Sequence, residues 1–130
     1  MIHLTLDQVE VLHRRSLAEY GGLDGVRSSH QLAAAVGQPE QSAFGEDAYP
    51  TVAEKAAAYG FFIAEAQAFV DGNKRTAAAA MLTFLHVNGY DVDRTDDEIA
   101  EIFEQLGADL VDQTGFFTWV REHVKPSSSD

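Results

Sequence analysis

Apolar residues recur at three- and four-residue spacing along most of the chain, and in three places the recurrence opens on a threonine followed three residues later by Gln or Glu. Thr5 with Gln8, Thr51 with Glu54 and Thr95 with Glu98 are pairings in which each side chain caps the other's backbone N–H at a helix start. Behind the second come Val52, Ala56, Tyr59 and Ile63; behind the third, Ile99, Ile102, Phe103 and Leu106. Stops agree with starts. Gly21-Gly22 close the first pattern, and Asn88-Gly89 close a helix that begins near Asn73. A shorter helix is predicted over Ser29 to Val36 and another from about Gly115 to Val124. Tyr90 to Asp93 alternates like a strand but is too short to start a sheet alone. The pattern predicts an all-α fold: a compact single-domain helical bundle over residues 3–124, with a disordered tail at 125–130 whose low-complexity part is Pro126-Ser127-Ser128-Ser129-Asp130. From Thr76 to Val87 the residues are apolar nearly all the way round, so the helix at about 73–89 is predicted to be the buried centre of the bundle.

A chain of 130 residues with 45% hydrophobic content suits one domain with a sizeable core. Its 21 acidic residues against 9 Lys and Arg give a net charge of -12, and a chain so short of cations is a poor match for a polyanionic backbone. No nucleic-acid partner is expected. Cysteine is absent, which removes disulfides, a thiolate nucleophile and Cys-ligated zinc from consideration. The N-terminal residues lack the basic start and apolar core of an export signal, and the apolar run from Ala56 ends at Glu65, far short of the ~20 residues that cross a bilayer. A cytoplasmic protein with no membrane association is the expectation.

Chemistry concentrates at Asp71-Gly72-Asn73-Lys74-Arg75-Thr76, just before the helix predicted to be central. Open N–H groups and the helix dipole favour an anion there. Gly72 permits a tight turn and close backbone approach, Lys74 and Arg75 add positive charge, and Asp71 can hold a divalent cation that bridges phosphates. An ordinary Asp-Gly turn with solvated Lys74 and Arg75 would read the same way locally. The placement of a basic pair on the most apolar helix of an acidic chain favours a ligand.

The stretch Gln67-Ala68-Phe69-Val70-Asp71-Gly72-Asn73-Lys74-Arg75-Thr76 resembles the H-x-F-x-D-G-N-K-R-T motif of the Fic/Doc family, in its Doc branch. Lys74 after Asn73 favours that branch, since typical Fic enzymes carry Gly there. The likeness runs from about His3 to Val124, through Leu12-His13, Tyr20-Gly21-Gly22, Gly25-Val26-Arg27, Tyr49-Pro50-Thr51, Glu54-Lys55-Ala56 and Asn88-Gly89-Tyr90. It implies a helical bundle and transfer of the γ-phosphoryl group of ATP, with Mg2+, to a protein hydroxyl such as a Thr of elongation factor Tu, stopping translation; Fic relatives transfer AMP. It further implies a toxin-antitoxin pair, with an antitoxin similar to Phd whose flexible segment folds onto the toxin, an apolar groove between helices suiting that mode. By position, Asp71 would ligate Mg2+, Gly72, Asn73, Lys74 and Arg75 would hold the phosphates, and Phe69 would anchor the loop.

The departure is Gln67, which stands where the family has its catalytic His. A neutral amide has no basic lone pair with which to take a proton from the attacking hydroxyl at pH 7. Three readings stand open: a substitution made to tame a toxic protein, natural loss leaving a binding-only module, or another base and different chemistry. His13, on the helix side of Leu6, Val9 and Leu17, reads as a packed structural histidine, and His30 is a further candidate base. His3, His86 and His123 show no metal spacing. Glu65 reads as solvated, and Asp91, Asp93, Asp96, Asp97, Glu98, Glu101 and Glu104 as a solvated helix start or a docking surface for a basic partner.

Overall fold

A computed structural model describes residues 1–128. Six helices carry the fold: α1 Leu6–Tyr20, α2 Ser29–Gly37, α3 Val52–Ala66, α4 Asn73–Val87, α5 Asp96–Gly107 and α6 Gln113–His123. Thr5 with Gln8 and Thr95 with Glu98 form reciprocal caps as predicted. At α3 the bond runs one way, the Thr51 hydroxyl accepting from Glu54 N–H. The last helix opens two residues before the expected Gly115 because Asp112 caps it, its carboxylate accepting from Gly115 N–H at 2.8 Å.

The core is shared by α3 and α4. Along α3, Lys55 to Gly60 form an unbroken buried run, and Ala56, Ala57 and Ala58 allow close approach by α2, α4 and α6. The predicted burial of α4 on all sides is corrected: Thr76, Ala77, Ala80, Met81, Phe84 and Leu85 are buried, whereas Leu82 and Thr83 are half-exposed and His86 and Val87 exposed. The exposed positions share one face, and it carries Thr83 and His86, the polar residues that a count of apolar positions passes over. Tyr59 ties the N-terminal segment to this core, its hydroxyl accepting from Leu4 N–H at 2.9 Å, and burial pushes its pKa up to about 12.

Two small antiparallel pairs complete the structure. Strands β1, Ser42–Ala43, and β2, Glu46–Asp47, flank a turn at Phe44 and Gly45. The buried Lys55 ammonium holds this hairpin, 3.3 Å from Asp47 Oδ2 and 3.3 Å from the Pro39 carbonyl. Strand β3, Tyr90–Val92, pairs with β4, Val124–Pro126. This corrects the prediction of a disordered tail at 125–130: Lys125 and Pro126 belong to a strand, Lys125 reaches Asp93 at 3.2 Å, and Ser127 N–H donates to Gly89 O. The pairing supplies the partner that β3 needed, and a three-residue strand without alternation leaves no local signal. Ser129 and Asp130 lie outside the described residues. No helix among the described residues is long and apolar enough to cross a membrane.

Candidate active site

The loop between α3 and α4 is built by residues distant in sequence. Gln67 ends α3 in the left-handed region, φ 46°, which redirects the chain into the loop. Phe69 is buried, its ring stacked on His13 at 3.8 Å and 9°. The segment after α1 lies alongside: Arg27 N–H and Ser28 N–H donate to Ala68 O, and Val70 N–H donates to Gly25 O. A Cβ on Gly22, itself at φ +123°, would sit 2.8 Å from Asp71 Oδ2, so glycine there admits the Asp71 carboxylate.

Asp71 accepts from Leu23 N–H at 3.2 Å and from Gly72 N–H at 2.9 Å. These two backbone bonds hold its carboxyl below the usual carboxylate range, with Arg75 and His13 adding smaller favourable charge. A carboxyl more acidic folded than unfolded adds stability above the ordinary carboxylate pKa, and that contribution is lost as pH falls through the folded value. Asp71→Asn is therefore expected to flatten the acid limb of the stability curve below the ordinary carboxylate pKa of about 4, measured by urea unfolding; parallel curves for the two proteins would refute the assignment.

Gly72, at φ +80°, starts α4 without any side-chain cap, whereas Thr5, Ser28, Thr51, Thr95 and Asp112 cap the other five α-helices. The first-turn N–H groups of α4 therefore face outward uncapped. They border a cavity of about 650 Å3 walled by Glu65 and Gln67, by Val70 to Arg75, and by Glu104, Leu106, Gly107 and Asp109 from the far side. That volume is within the range of small-molecule sites.

All the expected site residues, Gln67, Asp71, Gly72, Asn73, Lys74 and Arg75, line this one cavity. Their side chains are engaged in ways the sequence did not show. The Asn73 amide clamps the loop, Oδ1 accepting from Phe69 N–H and Nδ2 donating to Phe69 O, both at 3.0 Å, so Asn73 offers an anion only its backbone. Lys74 and Arg75 are exposed. Lys74 Nζ pairs with Glu104 at 3.0 Å, and the Arg75 guanidinium lies 5.3 Å from the Tyr20 ring centre and 3.5 Å from Gly21 O. Glu104 thus faces the cavity from the second half of α5, correcting its reading as part of a solvated helix start. Glu65 is exposed and also lines the cavity. His13 is 2% exposed and bonded, as a structural histidine should be, while His30 is exposed and does not line the cavity.

A helical bundle that opens the N-terminus of a core helix behind a glycine turn, with an ionised Asp and two cations beside it, is a scaffold suited to holding an anion. The Fic/DOC family model matches residues 3–85, and the chain belongs to the Fic/Doc family. Its similarity to two Doc proteins places it in the Doc branch. It is 47% identical over 103 residues to the toxin Doc of Mycolicibacterium smegmatis, covering 75% of this chain and 78% of that protein. To the protein kinase doc of Escherichia phage P1 it is 32% identical over 92 residues, covering 71% and 72%.

Proposed function

We propose that this chain is a Doc-type toxin of a toxin-antitoxin pair, built to transfer phosphate from ATP to a Ser or Thr hydroxyl of a protein such as elongation factor Tu, with turnover depressed by Gln67. The supporting observation is the uncapped α4 N-terminus opening into a cavity bordered by Asp71, Lys74 and Arg75. The names of the two relatives, a toxin and a protein kinase, point the same way. The partner would be an antitoxin similar to Phd, and the setting the cytoplasm.

In this reading the N–H groups of Asn73, Lys74 and Arg75 take the phosphate oxygens, and the two cationic side chains neutralise the charge that spreads over them during transfer. Phosphoryl transfer needs positioning and electrostatics more than covalent help, so a rigid loop matters as much as the charges. Mg2+ is bound by one or two carboxylates plus phosphates and waters, and Asp71, a single ionised carboxylate beside the phosphate position, fits that demand. Asp71 would hold Mg2+ where its charge offsets that of the phosphates, which otherwise repels an incoming hydroxyl oxygen. Gln67 lines the cavity but cannot remove the hydroxyl proton.

Calorimetry with ATP and Mg2+ tests the binding half of this proposal. One site with a dissociation constant between about 1 μM and 1 mM is expected. Arg75→Ala should weaken it at least tenfold, roughly the loss of one charge-assisted hydrogen bond. Glu104→Gln, which releases Lys74, should tighten it by up to about fivefold, the ceiling for an exposed ion pair. Absence of binding, or indifference to Arg75, would overturn the nucleotide reading. Gln67 favours a second reading, a binding-only module; saturable ATP binding with no labelled protein product, even from Gln67→His, would support it.

A further inference from the structure

Beneath the glycine turn lies a histidine that the mechanism does not use. His13 is on α1, buried, 58 residues upstream of the atom it contacts: its Nε2 is 2.8 Å from the Asp71 carbonyl oxygen. A carbonyl only accepts, so Nε2 carries the proton, and both the neutral Nε2–H tautomer and the imidazolium make this bond. On the other side of the same peptide unit, Gly72 N–H donates to Asp71 Oδ1 at 2.9 Å. The Asp71-Gly72 peptide is therefore gripped at both its oxygen and its nitrogen. The His13 ring also stacks on Phe69, and a Cβ at Gly72 would touch it at 3.6 Å. One side chain thus contacts both ends of the turn, at Phe69 and at Gly72.

We propose that His13 is a positioning residue for the anion site: by donating to the Asp71 carbonyl it fixes the peptide plane that aims the Asp71 carboxylate and presents the first-turn N–H groups of α4. The inference rests on the nucleotide reading above for its purpose, though the geometry stands without it. Simple core packing would require only an aromatic ring against Phe69. The distinguishing feature is the hydrogen-bond donor.

The test compares His13→Phe, which keeps a stacking ring and removes the donor, with His13→Gln, which restores an N–H at similar reach. Amide hydrogen exchange is read at Gly72 and Leu23, whose N–H groups bond the Asp71 carboxylate, with amides of α6 as an internal control. In His13→Phe the two loop amides should exchange about tenfold faster than wild type, the equivalent of one lost hydrogen bond, while α6 is unchanged. Affinity for inorganic triphosphate with Mg2+ should fall by a similar factor, and His13→Gln should recover both. Wild-type exchange and affinity in His13→Phe would overturn the proposal, as would a His13→Gln variant that matches the Phe variant. If wild type binds no triphosphate, the nucleotide reading fails, and the exchange rates still decide the role of His13. If His13→Phe does not fold, His13→Gln decides alone: wild-type exchange at Gly72 and Leu23 supports the proposal, and a tenfold rise overturns it.

Discussion

Replacing Gln67 with His is expected to raise transfer of the γ-phosphate of ATP to a target protein by about 10²- to 10⁴-fold, the usual worth of a general base. Expression of the variant should then arrest growth where the parent does not. The site is prepared for this change. Gln67 is exposed on the cavity wall beside the turn that carries Asp71, so an imidazole at this position faces the same space as the cations. Its backbone is left-handed, φ 46°, a conformation costly for most residues but one in which His is enriched several-fold, so the fold should accept the substitution within about 0.5 kcal/mol. A gain in activity with unchanged thermal stability would therefore report chemistry and not repair of the loop. Mass spectrometry of the target fixes the reaction: a phosphate increment supports kinase chemistry, and an AMP increment would transfer the chain to the nucleotidylating class. No product and no growth arrest from Gln67→His would remove the enzymatic reading and leave the binding module.

The fold was legible wherever the signal was local. Thr5-Gln8 and Thr95-Glu98 marked helix starts because a capping box is complete within four residues. Asp71 to Arg75 were legible as a candidate site because glycine, cations and a carboxylate are contiguous, and they do line one cavity. What escaped depends on contacts between distant segments. Glu104 reaches Lys74 across the cavity from α5, and nothing in the acidic run around it distinguishes it from its solvated neighbours. Asn73 carries an amide equally suited to a phosphate or to the backbone, and only the position of Phe69 decides. The β3 and β4 pairing joins segments more than thirty residues apart: Tyr90 to Asp93 alternates but could not show its partner, and Val124–Pro126 shows no period. Burial of α4 was overestimated because Thr83 and His86 fall on one face with Leu82 and Val87 and turn it to solvent, which an overall apolar count does not register.

Phe69→Ala should produce the largest loss of stability of any single change in the site, about 3–5 kcal/mol, and should abolish nucleotide binding with it. The ring is 1% exposed, stacks on His13 and belongs to the continuous core. Truncation leaves a cavity where the loop is anchored, and neither neighbour can readily collapse into it. His13 is committed to the Asp71 carbonyl, and the Asn73 amide is committed to the backbone of residue 69. For a chain of this size the loss corresponds to a fall in Tm of roughly 10–20 °C. Asn73→Ala separates the two contributions, because it leaves the core ring in place and removes only the loop clamp. It should cost about 1–3 kcal/mol, as two backbone groups of Phe69 lose their partner, yet weaken ATP binding nearly as much as Phe69→Ala does. The comparison is made by urea unfolding and calorimetry on the same samples. If Asn73→Ala lowers stability but leaves ATP affinity intact, loop rigidity is not what prepares the phosphate site, and the uncapped N-terminus of α4 must suffice by itself.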